Sequence, residues 1–409
     1  MNLVLYTHPA FLGSRSQEHF ARMLVNAYRA RGHQVVLRQP EAVLHRRVPA
    51  GRLSKWAGYV DQYLIFPRRM RAAMRLDPPD TLYVFCDQAL GPWVPHAADR
   101  PHVVHCHDLL ALRSALGDID ENPTSFTGRL YQRYIRRGFR HARHFISISH
   151  KSRADLHHFG GVQPVTSEVV YNGLNHPYAP LAPETALRVL CQAGLPAEER
   201  GCVLHVGGGQ WYKNSVGVVR LYARYAEAAL RNGDMPLPLW MVSPPPGNAL
   251  RSALTQVPAQ AQVAFFCGLD NDTMEALYAN AGVLLFPSLA EGFGWPIVEA
   301  LACGCPVITT AEAPMTEVGG DLCTYLPRLG PDDDLADWAQ LGADLLAGVL
   351  ARPSAERERS AKAGQAWAAR FAADAAIDSY LGVYRRVLAL ETACLPKGHL
   401  NHENTSTSP

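Results

Sequence analysis

Short runs of apolar, β-branched residues recur along the chain, each followed by a longer stretch whose apolar positions repeat at helical spacing. That alternation predicts parallel strands flanked by helices. In the first half the runs fall at Leu3–Tyr6, Val35–Arg38, Leu82–Cys86, Val103–Cys106, Phe145–Ile148 and Val169–Tyr171. In the second half they fall at Val203–Val206, Leu239–Val242, Val263–Cys267, Val283–Phe286, Val307–Thr310 and Leu322–Tyr325. Two comparable sets predict two doubly wound α/β domains, and a chain of 409 residues is longer than one hydrophobic core usually organises.

The turn-rich segment from Asn172 to Pro180 resists both helix and ladder and reads as the linker between them. This predicts a first domain over residues 1–182 and a second over 183–369. After Pro353 one long helical pattern is expected to about Leu390, with Trp367, Phe371, Tyr380 and Tyr384 among its apolar positions. The polar tail from 396 to Pro409 carries too little apolar surface to pack, so disorder is expected there. Asp272 and Glu275, before a helix bearing Met274, Leu277 and Tyr278, read as a capping box with no chemistry of their own.

Composition changes this picture little. With 48% hydrophobic and 19% charged residues the chain is expected to fold, without long disorder. Charge changes it more. Residues 1–182 hold 23 Lys+Arg against 13 Asp+Glu, leaving 16 against 24 for the remainder, so the halves stand near +10 and −8. A basic half suits an anionic partner surface such as phospholipid, lipid-linked phosphate or nucleic acid, while a merely solvated cationic face gives the same count. The basic residues form no recognised nucleic-acid reader motif, so no nucleic-acid partner is expected. Arg129 to Arg140, and Trp56, Tyr59, Tyr63 and Phe66 beside Arg68, Arg69, Arg71 and Arg75, mix cations with aromatics as a peripheral contact with an anionic membrane would; ordinary amphipathic packing explains the aromatics equally well.

Nine cysteines without metal-site spacing read as buried free thiols in a reducing compartment. No signal peptide and no bilayer-length apolar run is found, so a cytoplasmic protein is expected, with membrane contact at most peripheral.

The densest chemical signal runs from Phe286 to Leu301. An apolar strand ends at Pro287, a loop bracketed by Gly292 and Gly294 follows, and Pro296 stands where a first helical residue tolerates losing its N–H. Glycines let backbone amides approach an anion, and a helix N-terminus favours negative charge, as a diphosphate supplies. Glu291 and Glu299 flank that anion site. Carboxylates there would repel phosphate unless they accept hydrogen bonds from sugar hydroxyls; a dipole-favoured helical glutamate is the plainer reading of Glu299.

A second strand, glycine and helix junction runs through His205-Val206-Gly207-Gly208-Gly209 to Lys213-Asn214, with Lys213 the cation for a pyrophosphate. The three glycines alone do not make a dinucleotide fingerprint. His107 and Asp108 follow a strand, where open α/β sheets present ligand groups, whereas His105 alternates into the core. The first turn, from Thr7 to Ser14, offers only Gly13 to an acceptor.

These motifs resemble glycosyltransferase family 4. The run Glu291-Gly292-Phe293-Gly294-Trp295-Pro296-Ile297-Val298-Glu299 is similar to that family's two glutamates separated by seven residues. Val206-Gly207 with Lys213-Asn214, His107-Asp108, Ser149 opening a helix, and Val170-Tyr171-Asn172-Gly173 add to the likeness. The resemblance implies the GT-B architecture: two Rossmann-like domains facing each other across a cleft, with a C-terminal helix, about 370–395, crossing back to the first.

It further implies transfer of a hexose from a nucleoside diphosphate sugar to a glycan or lipid-linked acceptor, with retention of configuration. No metal and no cofactor beyond that co-substrate is implied. Glu291 would contact donor sugar hydroxyls, Glu299 the ribose, Lys213 the diphosphate and His107 the sugar near the reaction centre. Amides of Phe293 and Gly294, beside Gly207, Gly208, Asn214 and Gly292, would complete the donor site; Gly13 and Asp108 lie on the acceptor side. Two departures stand out. Many members carry an arginine where this chain has Gly208, and paired glycines where it has only Gly13. A nucleotide-sugar epimerase, or a non-catalytic nucleotide-sugar-binding relative, would share the same fold.

Overall fold

The computed structural model describes residues 1–393 apart from Ser14, Ala50 and Ala197, so the disorder expected from 396 onward lies outside the described residues. Among the described residues twelve strands form two parallel six-stranded sheets. In the first, β1 (Asn2–Tyr6), β2 (Gln34–Arg38), β3 (Leu82–Phe85), β4 (His102–Cys106), β5 (His144–Ser147) and β6 (Thr166–Val169) lie in the order β2-β1-β3-β4-β5-β6. In the second, β7 (Val203–Val206), β8 (Leu239–Val242), β9 (Val263–Phe266), β10 (Val283–Phe286), β11 (Val307–Thr310) and β12 (Thr324–Leu326) lie in the order β12-β11-β10-β7-β8-β9. The central strands are buried along their whole length, as a parallel sheet covered by helices on both faces requires. The order reverses beside β1 in the first sheet and between β10 and β7 in the second. Ligands bind open α/β sheets in the crevice at the carboxyl ends of strands near such a point.

Three expectations are corrected. The helix after Pro353 is two helices, Ser354–Ala368 and Ala373–Ala393, separated by a 3₁₀ turn at Ala369–Phe371. There the Phe371 carbonyl accepts from the Leu174 amide, and the Phe371 ring is buried in the second domain's core. The helix Asn271–Asn280 is capped by Asp270, whose carboxylate accepts from the Thr273 amide at 2.8 Å. Glu275 instead holds the linker, accepting from the Ala179 amide at 2.7 Å. Of the cysteines described, all are free, but Cys191 and Cys267 are exposed rather than buried.

The helix Ala373–Ala393 packs on the first sheet. Ile377, Tyr380, Tyr384 and Val387 join Leu3, Leu5, Leu24 and Tyr28 in one apolar cluster. Polar contacts fix its register: Tyr380 donates to Asn172 at 3.1 Å, and Tyr384 meets both Tyr28 at 3.1 Å and His105 at 2.7 Å. His105 is thus a core residue, as its alternation predicts, and burial lowers its pKa to about 3. Among the described residues no helix is long and apolar enough to cross a membrane.

Candidate active site

β10 delivers the chain into the loop 287–294, and the helix Trp295–Ala302 leads away from it. Gly294 is its N-cap at φ +101°, a conformation side chains rarely adopt. Trp295 takes the first helical position and Pro296 the second, where its missing N–H costs no intrahelical bond. Phe293 anchors the loop, its ring packed near Tyr171, Trp295 and Phe371.

Lys213 approaches from the other junction. After β7, Gly207 takes φ +114°, and a Cβ there would lie 2.9 Å from the Lys213 Cδ, so the lysine stem crosses the space a side chain would fill. The ammonium then donates to Glu291 Oε1 at 2.7 Å, with both side chains largely buried. It also stands 4.7 Å from the centre of the Phe286 ring. A Cβ on Gly208 would stand 2.4 Å from that of Ser243, so the arginine common at this position does not fit the present backbone. Asn214, at φ +52°, spends its side chain on structure: Oδ1 caps the helix Ser215–Arg231 through the Gly217 amide, and Nδ2 donates to the Pro287 carbonyl at 3.2 Å. That second bond ties the two junctions together.

Glu299 is buried rather than solvated and accepts from the Tyr278 hydroxyl at 2.7 Å. Burial pushes its pKa up to about 7, against the lowering effects of the tyrosine bond and the Lys213 charge.

The first domain meets this loop directly. His107 and Asp108 lie just past β4, and a Cβ on Gly292 would fall 2.6 Å from the His107 carbonyl oxygen and 3.1 Å from the Asp108 Cβ. Only a glycine permits that approach. Ser149, N-cap of the helix His150–Gly160, donates to the Gly292 carbonyl at 2.9 Å. The imidazole of His107 is oriented by Nε2 against the Cys86 carbonyl at 2.8 Å and by the edge of Phe20. With the proton on Nε2, Nδ1 of the neutral ring is an acceptor. Burial raises the pKa of Asp108 above the usual carboxylate range. Gly13 ends the turn after β1 in the left-handed region, and its loop reaches the helix Arg52–Val60 through Phe11.

Four contacts escaped the sequence reading. Asp87, after β3, holds His8 at 2.9 Å; burial raises its pKa, and the His8 bond and charge, together with His107 and the Ala89 amide, more than reverse that and leave it lowered. Glu317 of the second domain accepts from the His150 and Lys151 amides, both at 2.8 Å, so a carboxylate sits at a helix N-terminus across the domain junction. Arg328 joins Glu121 at 2.6 Å across the same junction. A strand-end position could have flagged Asp87. Nothing local marks Glu317 or Arg328.

A cavity of about 290 Å³ opens beside Glu291, lined from one domain by Arg113, Asp118 and Lys151 and from the other by Trp211, Glu312 and Arg328. Its cations are already engaged, Arg113 with Asp118 at 2.7 Å, Lys151 with Asp155 at 2.5 Å and Arg328 with Glu121. A larger cavity of about 510 Å³ lies along the linker, lined largely by alanines and prolines and set apart from Lys213 and Glu291.

Two Rossmann-like domains closed on a cleft, with a helix returning from the second to the first, define the GT-B class of proteins. Sequence comparison agrees: residues 17–173 match the family described as glycosyl transferase 4-like domain, and residues 193–323 match glycosyl transferases group 1. The chain belongs to the group 1 glycosyltransferases, glycosyltransferase family 4.

It is 28% identical over 303 residues to a D-inositol 3-phosphate glycosyltransferase of Mycobacterium avium (strain 104), the match covering 71% of this chain and 66% of that relative. To an O-antigen chain mannosyltransferase B of Escherichia coli it is 26% identical over 264 residues, covering 63% of this chain and 64% of that one. The matches thus span just under two thirds of these curated relatives. Among solved structures, the sucrose-phosphate synthase of Thermosynechococcus elongatus superimposes with a TM-score of 0.70 at 17% identity, covering 95% of this chain and all of that one.

Proposed function

We propose that this protein transfers a hexose from a nucleoside diphosphate sugar to a hydroxyl of a glycan or lipid-linked acceptor, with retention of configuration and without a metal ion, in the synthesis of a surface polysaccharide or glycoconjugate. The observation that carries the proposal is the Lys213–Glu291 pair, 2.7 Å apart, at the glycine-lined entrance to the Trp295–Ala302 helix. The donor takes both partners over. Its diphosphate replaces the Glu291 carboxylate on the Lys213 ammonium, and the freed carboxylate accepts from sugar hydroxyls. Amides at Phe293 and Gly294 and the helix N-terminus face the same negative charge. Glu299 accepts from the ribose hydroxyls at the far end.

Neither glutamate acts as a nucleophile in this reading. The acceptor hydroxyl attacks C1 from the face the diphosphate leaves, and a leaving phosphate oxygen takes its proton. Lys213, the amides and the helix N-terminus stabilise the departing charge. His107, its Nε2 committed to Cys86, offers Nδ1 to a sugar hydroxyl near C1. The curated relatives, one named a mannosyltransferase, support hexose transfer as the reaction class.

The test is turnover of Lys213→Ala on whichever nucleoside diphosphate sugar the intact protein consumes. By analogy with loss of one oxyanion donor, the rate is expected to fall roughly 10²- to 10³-fold. Near-normal turnover removes Lys213 from the role. Isomerisation of the donor without any acceptor identifies an epimerase instead.

A further inference from the structure

The first domain carries a second surface that the proposed transfer does not use. It is made by the helices Arg52–Val60 and Phe66–Met74, joined through a π-helical turn at Asp61–Ile65, and by the helix Phe126–Phe139. Tyrosines stitch the two parts together: the Tyr63 and Tyr131 hydroxyls meet at 2.7 Å, and the Tyr134 ring stands edge-on to Tyr63 at 5.4 Å. Phe66, an aromatic that the sequence grouped with this face, is instead buried in the core against Trp93.

Beside the tyrosine seam large apolar side chains stand in water. Leu53 is 72% exposed, Trp56 67% and Phe126 75%, with Leu64, Leu130 and Tyr134 also exposed. A monomer seldom leaves so many large apolar groups together without a partner for them. Interleaved with them are the exposed cations Lys55, Arg68, Arg129, Arg133 and Arg137, none of which has a carboxylate within ion-pair distance among the described residues. The three helices contain no acidic residue of their own. Asp61, in the connecting turn, is buried and committed to the amides of Val43, Leu44 and His45.

We infer that this face docks on an anionic bilayer, with Leu53, Trp56, Leu64, Phe126 and Leu130 entering the headgroup boundary and the cations pairing with lipid phosphates. Cations without a carboxylate partner favour an anionic one, and protruding apolar side chains favour a partner with an accessible hydrocarbon layer over a nucleic acid or an acidic protein. Placement fits the same partner. A Cβ on Gly58 would lie 3.1 Å from the Phe11 ring, so the Arg52–Val60 helix backs directly onto the loop after β1 at the cleft edge of the sheet. In that loop Leu12 is itself 51% exposed. A bilayer on this face therefore abuts the mouth of the cleft on the first domain's side.

The experiment is cosedimentation of the full chain with vesicles of phosphatidylcholine and phosphatidylglycerol, and with vesicles of phosphatidylcholine alone, at low and high salt. Strong binding is expected on the anionic vesicles at low salt, and weak binding on the neutral ones. With each cation near an anionic surface worth about 1 kcal/mol, Arg129→Gln, Arg133→Gln and Arg137→Gln together lower the partition coefficient about a hundredfold. Trp56→Ser with Phe126→Ser lowers it at least about tenfold, from the lost burial of two large side chains. All five residues are exposed, so the unfolding midpoint should hold; Leu53→Ser with Leu64→Ser is a second apolar pair with the same expectation. Failure of the intact protein to bind anionic vesicles overturns the proposal. So does full binding by the arginine variant. Full binding by both apolar variants shows a general polyanion surface and overturns bilayer docking. None of these readings depends on the transfer reaction.

Discussion

Glu299→Gln isolates the cost of burying a carboxyl in the Trp295–Ala302 helix. Burial raises the Glu299 pKa from the ordinary 4.5 to about 7, even with the Tyr278 hydroxyl and the Lys213 charge favouring the ionised form. Between those values the folded chain keeps a proton that the unfolded chain has released. Stability from this group is therefore greatest below pH 4.5 and is lost as the pH rises through 7. At about 1.4 kcal/mol per pH unit the full difference is about 3 kcal/mol, enough to move the midpoint of a domain this size by roughly 6 to 12 °C. Glutamine keeps an acceptor for Tyr278 but cannot ionise, so the variant lacks this pH-dependent loss.

The assay is thermal unfolding of both proteins without ligand at pH 5 and pH 8, read as the change in their difference. That comparison cancels any fixed cost of the amide. The variant should gain on the parent by most of that interval between the two pH values. Parallel profiles would refute the reasoning, because they would mean that Glu299 ionises in the folded protein as easily as in water.

Gly292→Ala should act at the domain junction, since its Cβ would fall 2.6 Å from the His107 carbonyl oxygen. Overpacking of this kind costs about 1 to 3 kcal/mol, so the thermal unfolding midpoint is expected to fall by roughly 2 to 12 °C, and an unchanged midpoint would mean that the domains do not meet at this glycine. Glu317→Gln removes the charge facing the His150 and Lys151 amides, a loss of up to about 2 kcal/mol, and hydrogen exchange at those two amides should quicken by as much as about thirtyfold. Unchanged exchange would mean the carboxylate charge does not hold the junction. If Glu299 takes the proposed role of acceptor for the ribose hydroxyls, donor affinity should fall as the pH drops below about 7, where Glu299 gains a proton; a flat affinity profile from pH 8 to pH 5.5 would separate Glu299 from the ribose.

The strands stood out in the sequence because a parallel strand is buried on both faces and reads as a near-continuous apolar run, as Val283–Phe286 does. The two strands placed too early or too late, Thr166–Val169 and Thr324–Leu326, lie at sheet edges, where half-buried polar residues blur that signal. Gly292 and Gly294 were visible for a related reason, since glycines beside a strand end announce a close backbone approach. What the glycine at 292 approaches was not visible, because His107 lies 185 residues earlier in the chain. Long separation in sequence likewise hid Glu317 at the His150 amides and the pairing of Lys213 with Glu291. Periodicity alone could not find the break at Ala369–Phe371, since alanines suit a helix equally well and it is the Phe371 ring, drawn into the second domain's core, that turns the chain.

The central claim is that Lys213, Glu291 and Glu299 hold a nucleoside diphosphate sugar. Its most direct test is thermal unfolding of the intact protein against a panel of UDP-, GDP- and ADP-sugars, repeated with Lys213→Ala. A ligand present at 100 times its dissociation constant stabilises the folded state by roughly 2.7 kcal/mol. Sugars on one of these bases should raise the midpoint clearly, and the rise should shrink when Lys213 is removed. No shift with any of the three bases at millimolar concentration, or an equal shift in the variant, would contradict the account.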